Sequence, residues 1–199
     1  MKSLFMVLGM MLAAAVGWRG ILAVIGAGQA GGVGGTGGAG GNDMKLTDMK
    51  LTSSAFADGG AIPRKFTGEG EDVSPPLSWS GLPAGTKSLA LIVEDTDAPG
   101  GEPWVHWVAY NIPPPPEVKE LPEGLPRKLI VDSPKVVQGR NSWPDGNVGY
   151  RGPMPPPGSG VHHYHFHLYA LDGMLDLRPG ADKAAVLRQM RGHVLGECG

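Results

Sequence analysis

The chain has 199 residues, with 17 Lys plus Arg against 19 Asp plus Glu and a formal net charge of −2. No basic stripe stands out, so nucleic-acid binding has no electrostatic footprint, and the single cysteine, Cys198, excludes an internal disulfide or a cysteine-based zinc site. The 19 prolines favour turns and loops over long helices.

Residues 1–30 read as a signal peptide or hydrophobic leader. Lys2 precedes an apolar stretch from Leu4 to Val16, the layout of a secretory signal. Ala13-Ala14-Ala15 and Gly28-Gln29-Ala30 offer small-residue cleavage sites. Trp18-Arg19 interrupts the run and Ile21–Ile25 resumes it, so an uncleaved anchor is a second reading. Each half is short of the ~20 residues that a span needs. No cysteine lies between Ala13 and Ala30, which excludes a lipid-anchored one. In a third reading, Met44-Lys45-Leu46-Thr47 or Met49-Lys50-Leu51-Thr52 is the true start. The first readings place the protein in the periplasm or outside the cell; the third leaves it cytoplasmic.

Gly26-Ala27-Gly28-Gln29-Ala30-Gly31 fits a dinucleotide fingerprint, but such glycines must open a helix that holds the pyrophosphate. Here they run on into Gly32 and a glycine series ending at Gly41. Each Gly costs a helix about 1 kcal/mol against Ala, so the motif is a decoy. Residues 31–48 read as a Gly-rich linker. Residues 49–199 then form one domain.

Within that domain Ser74–Trp79 is extended, because residues before proline avoid the helical region. Ser88–Glu94 is an apolar run of strand length, and Pro103–Ile112 is a second strand that Pro113–Pro116 terminates. Residues 117–160 are loop-rich, with Gly, Asn or Pro at almost every other step from Gly139 to Pro157, and such a stretch is often functional. His162–Leu171 is a strand that alternates Tyr164, Phe166, Leu168 and Ala170 against His163, His165, His167 and Tyr169. Ala181–Leu195 carries the one good helical pattern, after the breaker Pro179-Gly180. The expected fold is mainly β: an antiparallel-rich sandwich with a C-terminal helix.

The strands carry chemistry at their ends. Leu91, Val93 and Asp95 share a face, and a carboxylate that continues an apolar row needs a partner. Strict alternation puts Trp104, His106 and Val108 on one face of the second strand, and His162 with Tyr164 on one face of the third. Gly152-Pro153 gives a point where backbone can approach a ligand without a Cβ. If these ends converge, Asp95 and Asp97 face His106 and His162. Aspartates can hold histidines cationic, and such histidines donate to an anion.

Five motifs in order resemble the phosphatidylethanolamine-binding protein family, in its bacterial, Raf-kinase-inhibitor-like branch. They are Asp72-Val73-Ser74-Pro75-Pro76-Leu77-Ser78-Trp79; Asp95-Thr96-Asp97-Ala98-Pro99; His106-Trp107 with Tyr110-Asn111-Ile112-Pro113; Tyr150-Arg151-Gly152-Pro153-Met154-Pro155-Pro156; and His162-His163-Tyr164 with Leu168–Asp172. The resemblance implies a sandwich of a large and a small sheet. It also implies an anion pocket onto which Asp95, Asp97, Trp104, His106, Gly152, Pro153, His162 and Tyr164 map. The implied ligand is a phosphate or phosphorylated head group, and a phosphorylated protein partner could fill the same pocket. No enzyme activity and no cofactor are implied, and relatives raise a homodimer. The family's Asp-Pro-Asp reads Asp95-Thr96-Asp97 here, Gly68 and Met154 stand where relatives often carry a cysteine pair, and the chain stops at Gly199, short of a family segment that can close the pocket.

Two rival functions remain. His163, His165 and His167 share a strand face and are candidate metal ligands, though three along one strand rarely converge. Asp95 or Asp97 with His106 could form the base of a weak hydrolase. For that reaction the sequence places no nucleophile: Ser142 and Ser159 lie in loops without an elbow motif.

Overall fold

The computed structural model describes residues 48–199; the expected leader and all but the last residue of the expected linker lie outside the described residues. Eleven elements follow in order: β1 (Lys50–Thr52), a 3-10 turn (Arg64–Phe66), β2 (Leu77–Ser80), β3 (Ser88–Asp95), β4 (Trp104–Ile112), β5 (Glu120–Leu121), β6 (Ile130–Asp132), β7 (Lys135–Gln138), β8 (Tyr164–Leu171), α1 (Lys183–Met190) and β9 (Val194–Cys198). A small sheet has the order β1-β2-β5, and a large sheet the order β6-β7-β4-β3-β8-β9. Each strand pair is antiparallel.

The large sheet is buried on both faces at its centre, which explains the continuous apolar run of β3. Leu89, Leu91 and Val93 pack with Trp107, Leu77, Trp79 and Leu121, toward the small sheet. Ala90 and Ile92 pack with Val108, Tyr110, Val186 and Met190, toward α1. Each fully buried Leu, Ile or Val contributes about 1.5–3 kcal/mol, so β3 and β4 form the rigid floor of the domain. Two polar side chains in this core are bonded, whereas Trp79 Nε1 is buried without a partner: Trp107 Nε1 donates to Gln138 Oε1 at 2.8 Å, and Asn111 exchanges two bonds with the Leu175 backbone.

Three expectations change. The stretch expected to be loop contains the short strands β5, β6 and β7. Their two to four residues are too few to show a period of two among so many prolines. The helix ends at Met190 rather than Leu195, because Gly192 takes a left-handed φ of 80° and the chain returns as β9 beside β8. Val108 does not share a face with His106; it packs toward α1. The reason is a break in register. Val93 faces Trp107 but Glu94 faces Val105, which leaves His106 as an extra residue on β4. Such a bulge re-aims the side chain it carries.

Candidate functional site

The bulge turns His106 toward the Asp95 row. Its buried ring lies edge-on to Tyr164 at 5.2 Å and to Trp143 at 4.9 Å. Asp95 and Tyr164 are direct cross-strand partners, so the ends of β3, β4 and β8 gather Asp95, His106 and Tyr164.

Two hydrogen bonds fasten the neighbouring loop to the bulge. The Arg151 amide donates to His106 O at 3.0 Å, and His106 Nδ1 donates to Arg151 O at 2.6 Å. A carbonyl only accepts, so Nδ1 bears the proton and Nε2 is the free nitrogen. Burial holds the imidazole below its ordinary pKa of 6.5, against smaller opposing effects of the Arg151 carbonyl and the Asp95 and Asp72 charges. His106 is therefore neutral at neutral pH, and Nε2 presents a lone pair rather than the cationic donor expected from sequence.

Each carboxylate pairs with a different histidine. Asp95 Oδ2 lies 2.7 Å from His162 Nδ1, with both side chains almost fully buried, and Asp95 Oδ1 accepts from the Asp97 amide at 2.9 Å. Asp97 Oδ2 is committed to His163, accepting from its amide and meeting its Nδ1, both at 2.7 Å. Those bonds to His163 hold the exposed Asp97 carboxyl below the usual range.

The Tyr164 hydroxyl is buried and has no hydrogen-bond partner. Burial first, and the neighbouring Asp95 charge second, push the phenol well above the usual tyrosine range. It stays protonated, a donor beside the Asp95 carboxylate with which it forms no hydrogen bond of good geometry.

Trp104 stands at the rim, 38% exposed, edge-on to Trp143 at 5.5 Å. The Arg151 guanidinium lies over Trp143 at 5.4 Å. Sequence reasoning missed Trp143, Arg151 and Asp72. Asp72 Oδ1 accepts from the Gly152 amide at 2.7 Å, while Oδ2 meets Arg127 at 2.6 Å and Arg151 at 3.3 Å. The left-handed φ of 56° at Asp72 was the hidden signal, because one residue type that tolerates it is aspartate. Gly152 is demanded by chain packing: a Cβ there would lie 2.3 Å from Phe66 O.

The histidine face of β8 is differently occupied. His165 and His167 stack at 5.8 Å, and His167 Nε2 lies 3.7 Å from Glu94, which is ion-paired with Lys183. Among the described residues, no set of three or more His, Cys, Asp or Glu side chains is placed to hold a metal ion. A cavity of about 300 Å³ lies elsewhere, lined by Trp79, Leu82, Pro83 and Pro114 among others. It has no ionisable lining, so chemistry favours the strand-end cluster as the site. No helix among the described residues is long and apolar enough to cross a membrane.

Residues 52–198 match the family model described as phosphatidylethanolamine-binding protein. UPF0098 protein PH1269 of Pyrococcus horikoshii is 51% identical over 144 residues, covering 72% of this chain and 70% of that protein. The crystal structure of CT736 from Chlamydia trachomatis, named as a candidate homolog of phosphatidylethanolamine-binding protein, superposes with a TM-score of 0.65 at 40% identity, covering 75% of this chain and 92% of that one. E. coli YbcL, described as a member of the mammalian family of that name, superposes with a TM-score of 0.64 at 32% identity, covering 75% and 93% of the two chains.

Proposed function

The chain belongs to the phosphatidylethanolamine-binding protein family, and from that premise we propose that it binds a small phosphate-like or phosphorylated head-group anion at the ends of β3, β4 and β8. One observation carries the reading: the buried Tyr164 hydroxyl has no partner, beside a His106 ring whose Nε2 is free. A buried donor left unpaired costs about 1–3 kcal/mol, and an anion oxygen would remove that penalty. Trp104 and Trp143 would wall the ligand, and Arg151 supplies positive charge near the mouth.

Neutral His106 cannot donate through Nε2. A bound anion therefore brings a proton with it: either the imidazole takes one up, or a ligand P–OH donates to Nε2. Both routes weaken binding as pH rises from about 6 to about 8, since a phosphate monoester loses its second proton near pH 6. The same chemistry admits a phosphorylated side chain of a protein partner, the route by which a Raf-kinase-inhibitor-like role would operate. The apolar leader supports a periplasmic or secreted location.

Calorimetric titration with phosphate and phosphorylethanolamine tests the proposal. Binding should be detectable at pH 6, and His106→Ala should weaken it more than about tenfold, the cost of a charge-assisted bond. A folded protein that binds neither anion at pH 6 sinks the reading.

A further inference from the structure

We propose that Ser159, His162 and Asp95 form a nucleophile–base–carboxylate relay that hydrolyses small carboxylic esters. Ser159 Oγ lies 2.9 Å from His162 Nε2, and His162 Nδ1 lies 2.7 Å from Asp95 Oδ2. The carboxylate is bonded to one ring nitrogen and the hydroxyl to the other, the geometry in which an imidazole takes a proton from serine. The hydrolase raised from sequence takes His106 as its base and sets Ser159 aside because it lies in a loop; the structure instead puts Ser159 on His162. The flanking Gly158 and Gly160 adopt φ of 84° and 90°, a conformation that other residues resist. Those two glycines shape the turn that brings Ser159 onto the ring three positions further along.

The burial gradient suits the chemistry. The His162 side chain is 2% exposed and that of Asp95 6%, whereas Ser159 is at the surface, where a substrate can reach it. Pro156 O lies 2.7 Å from Ser159 Oγ. The hydroxyl proton thus has two acceptors, and rotation about Cβ–Oγ hands it from Pro156 O to His162 Nε2. Ser142, the other loop serine near the strand ends, is committed differently: its hydroxyl accepts from the Val105 amide at 2.8 Å. The amides of Gly160 and Val161 bond no protein group among the described residues, and the amide after a nucleophile is a common oxyanion donor.

In the reaction, Ser159 Oγ attacks the ester carbonyl carbon as its proton passes to His162 Nε2. The tetrahedral oxyanion collapses, the bond to the alcohol oxygen breaks, and His162 returns the proton to that oxygen. Water then attacks the acyl-serine, gives a proton to His162, and the acid leaves as Ser159 is reprotonated. Ester plus water gives acid plus alcohol, with no other reactant. Ser159 and His162 are the catalytic residues; Asp95 is a positioning residue that acts through His162.

The relay shares Asp95 and His162 with the anion pocket but needs no anion, and the test separates the two. The full chain is treated with a fluorophosphonate probe and located by peptide mass spectrometry, then assayed with p-nitrophenyl acetate. The proposal expects the label on Ser159 and hydrolysis at least about tenfold above Ser159→Ala. That variant should still bind phosphate as the wild type does. Asp95→Asn should lower kcat with little change in KM and displace the pH–rate profile, which a purely structural role would not do. Labelling and hydrolysis unchanged in Ser159→Ala overturn the proposal, as does a folded wild type that neither labels nor hydrolyses. A labelled Ser159 in a protein that binds no phosphate upholds the relay and removes the anion reading alone.

Discussion

Replacing Tyr164 with phenylalanine should move stability and binding in opposite directions. The Oη atom is buried without a partner, and leaving such a group unpaired costs about 1–3 kcal/mol. Phenylalanine keeps the ring and its edge contact with His106 at 5.2 Å, so no cavity opens. The site lies at strand ends near solvent, which argues for the low end of the range, a gain of about 1 kcal/mol. For a domain of about 150 residues that raises Tm by roughly 2–4 °C. Binding should fall, because the hydroxyl is the proposed donor to the anion. A hydrogen bond to a charged group contributes about 1.5–3 kcal/mol, so phosphate affinity should drop roughly 10- to 100-fold. Thermal melts without phosphate and calorimetry with it measure the two effects. A less stable variant with unchanged phosphate affinity refutes the reasoning: the hydroxyl would then have a partner inside the protein and no role toward a ligand.

Three further outcomes are expected. Asp72→Ala removes the acceptor of the Gly152 amide and the carboxylate that pairs with Arg127 and Arg151; urea unfolding should show a loss of about 2–3 kcal/mol. Because burial holds His106 below its ordinary 6.5, the unfolded chain binds its proton more readily. The His106 contribution to stability is complete above about pH 6.5 and is lost as pH falls through that value toward the folded pKa. His106→Gln should flatten the dependence of the urea midpoint on pH between about 7.5 and 5.5. A Cβ on Gly68 would lie 3.0 Å from Met154 Cβ, close to the 3.5–4.5 Å of disulfides, and Met154 is exposed. The Gly68→Cys, Met154→Cys double variant should therefore close a crosslink on oxidation with a slight loop shift. The roughly 85-residue loop so formed should add about 2–4 kcal/mol of stability, read by non-reducing electrophoresis and melts.

What sequence could reveal depended on whether the signal was periodic. β3 was legible because apolar side chains on both faces made an unbroken run, and Asp95 stood out as a charge extending one row of it. Alternation places Asp95 and Tyr164 together, and β3 and β8 pair them directly; β8 begins at Tyr164 rather than His162, which reaches Asp95 from the preceding loop through its side chain. His106 was found, but on the wrong face relative to Val108, because a single inserted residue inverts a period of two. Its protonation was also misread, since burial and the Arg151 carbonyl are properties of the folded chain. Trp143, Arg151 and Asp72 lie in loops, where no period operates and contacts follow from tertiary packing. Ser159 was dismissed for lack of an elbow motif, yet two left-handed glycines bring it to His162 by a different turn. β9 was absorbed into the helix because Val194 and Leu195 extend an apolar pattern that Gly192 ends.

The most direct measurement is a crystal structure grown with phosphate at pH 6. A phosphate should lie between the strand ends, with one oxygen at hydrogen-bonding distance from Tyr164 Oη and another from His106 Nε2. A phosphate bound elsewhere, with the Tyr164 hydroxyl still unpartnered, would contradict the proposed site.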